Sequence, residues 1–287
     1  MRITLLTVKD KNPEHRKGEN LGLKALEAIL VQRGYDVLTY DLNINYLDDI
    51  QICKEILQND SDVIGFSVSF THQIYETLRL AKMLKQHLYN KHFTLGGQGA
   101  SFIMKEVLEK NDFFDTGICF EGEFALLELL DALKNKLPFD DISGLCFRKN
   151  DQIIFNGYRN PVDDLDVLPF VKHTENSKVL GQKHLTMISS RGCYGQCLFC
   201  ASGYSANKLH SSKKWRCRSA DNLLMEIGEL AETFGTMAIS FVDDDFLGGT
   251  DEGYQRVTQL SKGLIDKKLN SALKKAAIVK NTLKVKA

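Results

Sequence analysis

Cys193, Cys197 and Cys200 stand in the stretch Ser190–Cys200 at C-x3-C-x2-C spacing, with Gly192 before the first and Phe199 before the last. A short irregular loop with that spacing can bring three thiolates round one corner of a 4Fe–4S cubane and leave one iron without a protein ligand. An open iron is where a small molecule can bind the metal directly. The same residue types allow a zinc site, completed by His210 or Cys217. Zinc knuckles usually use two C-x2-C pairs, however, and an aromatic residue before the third cysteine has no task in one.

The elements around the loop follow from hydrophobic periodicity. Met1–Val8 is an apolar run expected to form a buried strand, and Leu21–Arg33 has helical period with Gly34 as its stop. Strands are expected at Tyr35–Tyr40, Asp62–Phe70, Phe93–Leu95 and Gly117–Phe120, with helices at Ile74–Leu88, Phe102–Glu109 and Ala125–Lys134. Strands alternating with helices predict a doubly wound parallel sheet, whose ligands bind beyond the carboxyl ends of the strands. Three loops there carry glycines and small hydroxyls: Gly65–Thr71, Leu95–Ser101 and Asp115–Glu123. Asp140–Asn160 reads as a hairpin turning at Asn150-Asp151, followed by an acidic linker from Pro161 to Phe170. In the second half, His184–Ser189 and Met237–Val242 read as strands, with Ser219 as the N-cap of a helix over Leu223–Thr233. The second strand ends in Asp243-Asp244-Asp245-Phe246, ordinary turn residues unless the cysteine loop gives them a partner.

Taken together, the cysteine loop, the three glycine-bearing loops, the Leu165-Asp166-Val167-Leu168-Pro169 linker and the Asp-Asp-x-Phe sequence resemble the radical SAM proteins that carry an upstream cobalamin (B12)-binding domain. The resemblance implies a Rossmann- or flavodoxin-like cobalamin domain over residues 1–136, a hairpin and linker over 137–180, and part of a radical SAM (β/α) barrel over 181–287. It implies a 4Fe–4S cluster on Cys193, Cys197 and Cys200, with S-adenosylmethionine (SAM) on the fourth iron, near Phe199, Asp243 and Asp244. Ser67, Thr71, Gly96 and Gly97 would contact cobalamin, with Glu121 and Gly122 from the third loop. Cobalamin domains commonly carry D-x-H-x-x-G, whose histidine ligates cobalt. Here Pro13 replaces the aspartate, so His15 would lack the carboxylate that orients such a ligand. The implied activity is reductive cleavage of SAM, with methyl transfer to an unactivated carbon and an electron donor such as flavodoxin or ferredoxin; the alternatives are a non-catalytic cobalamin-binding remnant and a zinc-stapled interaction module. The small-molecule or peptide substrate stays open.

Composition fits that picture and excludes others. In 287 residues, 37 basic side chains balance 37 acidic ones, so charge gives no argument for nucleic acid or a membrane surface. No apolar run could span a bilayer, and seven cysteines without regular pairing suggest a reducing cytoplasm. From His184 onward there is room for about half of a barrel, since each βαβ unit takes roughly 30 residues or more. The acid-free segment Lys267–Ala287 reads as a basic helix with a short apolar end. The expectation is a truncated chain, or a barrel completed by another one.

Overall fold

Five parallel strands alternate with helices through the first half of the chain: β1 (Arg2–Thr7), α1 (Leu21–Gln32), β2 (Asp36–Asp41), α2 (Asp49–Gln58), β3 (Val63–Ser67), α3 (Ile74–His87), β4 (His92–Gly96), α4 (Gln98–Ser101), α5 (Met104–Lys110), β5 (Thr116–Ile118) and α6 (Glu123–Asn135). The structure is a computed structural model that describes residues 1–10, 19–44, 47–174, 178–179, 182–195, 197, 199–209, 213–235 and 237–269. The chain divides into two units, Met1–Arg159 and Asn160–Ala287.

In the first unit the strand order is β2-β1-β3-β4-β5, continued by the antiparallel hairpin β6 (Leu145–Lys149) and β7 (Gln152–Phe155) on the edge of β5. Residues on both faces of β1, β3 and β4 are buried because helices cover the sheet on either side, so these strands read as apolar runs rather than alternations. The core joins Leu6, Ile64, Phe66, Phe93 and Leu95 to Ile52, Ile56, Leu80 and Leu84 of the helices. The hairpin turns where the sequence places it. Asn150 and Asp151 hold φ values of 48° and 61°, the left-handed pair a two-residue hairpin turn demands. Strand order reverses between β1 and β3, and a crevice opens at such a point beyond the carboxyl ends.

Helix α2 has no counterpart in the sequence reading. Its start is a capping box, Asp48 accepting from Gln51 N and Gln51 Oε1 accepting from Asp48 N, and it buries Ile52 and Ile56. The third strand also stops three residues short of Phe70. Phe70 instead leads into a short turn over Thr71–Gln73.

His92, at the start of β4, supplies a pH test of this unit. Burial pushes its imidazole down to about 4, against the opposing attraction of Asp115. A folded value below the unfolded one means the stability is present above about pH 6.5 and is lost as pH falls toward 4, by up to about 3 kcal/mol. Urea unfolding across that window should show the loss, and His92→Gln should flatten it.

The second unit holds a three-stranded sheet in the order β12-β9-β8, from β8 (Lys178–Val179), β9 (Gln182–Met187) and β12 (Ala238–Phe241), plus the ribbon β10 (Ser190–Gly192) with β11 (Trp215–Cys217). Between the ribbon strands lies α7 (Ala201–Lys208). Helix α8 (Ala220–Phe234) carries the chain from β9's side of the ribbon to its parallel partner β12, and α9 (Asp251–Asp266) follows. Ser219 caps α8, accepting from Asn222 N, as its sequence position predicts. Leu223, Ile227 and Leu230 of α8 pack with Leu185, Met187, Ile239 and Leu260. Two parallel strands with their helices make the start of a (β/α) barrel, and no closed barrel is present among the described residues. The acid-free tail expected to be helical lies outside them from residue 270 on.

Candidate functional site

The cysteine loop leaves from the carboxyl end of β9 through the β10–β11 ribbon. Gly192 stands at φ +84°, where a Cβ would meet Lys214 O at 2.1 Å, so only glycine allows the close crossing that launches the loop. Cys193 Sγ accepts from Gly195 N at 3.2 Å, and Cys200 N donates to Cys197 O at 3.0 Å before Cys200 begins α7. The sulfurs of Cys193 and Cys197 flank Gly195, lying 3.3 and 3.9 Å from the position a Cβ would take there. Thus two of the three sulfurs approach one point of the loop. Among the described residues, no three His, Cys, Asp or Glu side chains converge as a metal site. The donor set fits an iron–sulfur cluster by its chemistry, three soft thiols on one short loop. Phe199 is 93% exposed beside it.

Asp243 ties this loop to the second parallel strand. Its carboxylate accepts from Ser189 N at 2.6 Å, Ser189 Oγ at 2.6 Å and Ser190 N at 2.8 Å. Burial pushes its pKa up against the lowering effect of those donors. Asp244 is exposed. Three further partners meet here, Asp245 of the Asp-Asp-x-Phe stretch together with Trp215 and Arg256. Asp245 approaches Cys193 Sγ at 4.0 Å through Oδ2, and its carbonyl accepts from Trp215 Nε1 at 2.6 Å. Arg256 of α9, buried, donates to Ser189 O at 3.1 Å and Ser189 Oγ at 2.9 Å, and its guanidinium stacks over Trp215 and Phe246. No motif in the sequence marks Trp215 or Arg256.

In the first unit the loops after β3, β4 and β5 are laced together at the carboxyl edge. Val68 N donates to Gly96 O and Gly99 N to Val68 O, both at 2.9 Å, and Thr71 Oγ1 reaches Gly99 O at 3.4 Å. Ser101 Oγ donates to Gly97 O and accepts from Phe120 N at 2.7 Å. A Cβ on Gly97 would stand 2.4 Å from Val68 O, so the neighbouring loop occupies the space this glycine leaves. Gly96, by contrast, would bring a Cβ to ordinary contact with Ile118 O at 3.7 Å. Ser67 ends β3 level with Thr7 and Gly96. Gly122 precedes α6 with room for a Cβ, and Glu121 lies beside it, half-buried.

At the strand reversal, Asp10 follows β1 and is buried. It accepts from His72 Nε2 at 2.9 Å and from Gln73 Nε2 at 3.3 Å, while Asn43 Oδ1 takes its N–H at 2.8 Å. Gln73 Oε1 in turn accepts from Ser69 N and Phe70 N, and Asn20 Nδ2 donates to Ser69 Oγ. Thr7 Oγ1, buried at the end of β1, is without a hydrogen-bond partner among the described residues. An orphaned hydroxyl and a carboxylate-held imidazole at the reversal suit a large polar cofactor. His15 lies outside the described residues.

The first unit is thus a flavodoxin-ordered sheet with polar loops at the reversal, and the second a parallel-strand unit headed by a three-thiol loop. Residues 15–130 match the B12 binding domain family. The chain is 29% identical over 237 residues to an uncharacterized methyltransferase, PH0819, of Pyrococcus horikoshii, covering 80% of this chain and 49% of that one. It superposes on the cobalamin-dependent SAM radical enzyme OxsB, solved with aqua-cobalamin and SAM bound, at TM-score 0.75 and 23% identity, over 92% of this chain and 37% of that one. It also superposes on the radical SAM methyltransferase TsrM of Kitasatospora setae, solved with cobalamin and a [4Fe-4S] cluster, at TM-score 0.69 and 15% identity, over 95% and 53%. The B12 binding domain match lies within the first unit, and the two solved structures show a shared fold. It spans about half the length, or less, of the curated relatives it matches. No helix among the described residues is long and apolar enough to cross a membrane.

Proposed function

We propose that the chain is a cobalamin-dependent radical SAM enzyme, or the N-terminal part of one, that transfers a methyl group to an unactivated carbon. The observation that carries this reading is the B12 binding domain at 15–130 ahead of a three-thiol loop at the carboxyl end of a parallel strand. In this reading Cys193, Cys197 and Cys200 hold the 4Fe–4S cluster. Phe199, Asp243 and Asp244 lie toward SAM. Ser67, Thr71, Gly96, Gly97, Glu121 and Gly122 line the cobalamin site. Bound there, the cluster would supply the electron for cleavage of SAM, and cobalamin would serve as methyl carrier.

The protein's own part is positioning. Gly192 fixes where the thiols begin, and Asp243 locks Ser189 and Ser190 so that the loop leaves β9 in one direction. The exposed face of Phe199 offers an apolar wall on which an adenine could stack. The Gly97–Val68 crossing holds the β3 and β4 loops at a fixed separation, giving a cofactor a rigid edge. The electron donor would be a flavodoxin or ferredoxin and the compartment the cytoplasm, consistent with seven cysteines and none in a disulfide. The substrate is a small molecule or peptide.

Anaerobically reconstituted protein supplied with SAM and a low-potential reductant should release 5′-deoxyadenosine or S-adenosylhomocysteine. Cys197→Ala should bring that to background. Equal release from the variant and the parent protein would end the proposal.

A further inference from the structure

The position that the Asp-Asp-x-Phe pattern leaves open is filled by a third carboxylate, Asp245, which lies against a cluster thiol. We propose that Asp245 sets the reduction potential of the 4Fe–4S cluster, its charge beside Cys193 holding that potential low. The inference rests on the cluster reading above and adds a tuning residue to that site.

Asp245 Oδ2 stands 4.0 Å from Cys193 Sγ. Bonds on either side of that contact aim it. Asp245 Oδ1 accepts from Gly248 N at 2.9 Å, which leaves Oδ2 as the oxygen toward the thiol. The Asp245 carbonyl accepts from Ser190 Oγ at 2.9 Å and from Trp215 Nε1 at 2.6 Å. Those donors sit on β10 and β11, one on each strand of the ribbon from which the cysteine loop leaves, and Trp215 pairs with Gly192 directly before Cys193. Carboxylate and thiol therefore hang on the same short ribbon. Asp243 plays a different part, bonded to Ser189 and Ser190, and Asp244 is exposed.

The potential of an iron–sulfur cluster follows its net charge, the hydrogen bonds to its sulfurs and its exposure to water. Two of these act on Cys193 with opposite sign. Gly195 N–H donates to Cys193 Sγ at 3.2 Å and favours the reduced cluster, which carries one more negative charge. The Asp245 carboxylate opposes that added electron. A full charge outweighs a single amide dipole at similar range. Asp245 is half-buried, so salt screens it less than it would a surface carboxylate. A lower potential makes the reduced cluster a stronger reductant, the direction that cleavage of a sulfonium requires. Reduction adds one electron from a flavodoxin- or ferredoxin-type donor, and at Asp245 no bond forms or breaks and no proton moves.

The test is a potentiometric titration of the anaerobically reconstituted chain with titanium(III) citrate and redox mediators. It is read by the electron paramagnetic resonance signal of the reduced cluster, which counts only loaded chains. Asp245→Asn keeps the shape of the side chain and an acceptor for Gly248 N, and removes the charge. Its midpoint potential is expected to rise above that of the parent, while Asp245→Glu stays near the parent value. Asp266→Asn, the same loss of charge at the exposed far end of α9, should leave the midpoint unchanged. A midpoint in Asp245→Asn at or below the parent's overturns the assignment, as does a rise that Asp245→Glu or Asp266→Asn shares. An Asp245→Asn chain that takes up no iron overturns it too, since the residue then builds the loop rather than tunes it. Parent protein without iron overturns the cluster reading itself.

Discussion

Gly97→Ala is expected to cost the first unit about 3–5 kcal/mol and its hold on corrin, whereas Gly96→Ala beside it should cost under about 1 kcal/mol. Gly97 sits at φ 92°, ψ 157°, a region essentially closed to residues with a Cβ. The added carbon would lie 2.4 Å from Val68 O and 2.7 Å from Val68 N, and backbone atoms cannot swing aside as a side chain end can. Relief requires parting the β3 and β4 loops, and with them the Val68–Gly96 and Gly99–Val68 bonds. Gly96 has neither problem, since its Cβ would rest 3.7 Å from Ile118 O. Thermal or urea unfolding of the two variants, read beside cobalamin retention, checks the contrast. Equal midpoints would show that the loop crossing is not fixed as described.

Arg256→Met is expected to destabilise the second unit by about 3–5 kcal/mol, because removing one member of a buried charge network strands the other. Asp243 would keep its bonds to Ser189 and Ser190 but lose the cation that offsets its burial. Ser189 O and Phe246 O would both lose a donor, and the rings of Trp215 and Phe246 their cation. Asp243→Ala should cost a similar amount by a different route, leaving the Ser189 and Ser190 N–H groups unpaired at roughly 1–3 kcal/mol each. Because the network spans the base of the cysteine loop, both variants should also take up less iron on reconstitution. A combined variant that loses much less than the sum of the two would confirm that they act as one unit.

What was legible in the sequence followed from local rules. The Asn150-Asp151 turn, the Ser219 cap and the strands β9 and β12 each depend on a few neighbouring residues, and each is close to where the sequence puts it. Helix α9 escaped because its buried stripe is Gly253, Arg256 and Leu260, and a glycine and an arginine do not register as apolar positions. The reason for that stripe is tertiary. Gly263, further along the same helix, lets α9 close on α8, where a Cβ would meet Leu224 Cδ1 at 2.2 Å. The Asp10–His72 pair was likewise invisible, since no spacing rule links residues 62 apart. Gly97 was singled out for a ligand, and its nearest claim comes from Val68. A positive-φ glycine beside a neighbouring loop and one beside a cofactor look the same in sequence.

Metal and corrin content of the reconstituted chain tests the two-cofactor account most directly. The protein is treated anaerobically with iron, sulfide and hydroxocobalamin and desalted. The account predicts about four iron per chain with broad absorption near about 400 nm, retained corrin bands, and loss of the iron but not the corrin in the Cys193/Cys197/Cys200→Ala variant. Zinc in place of iron, or iron that survives in that variant, would contradict it.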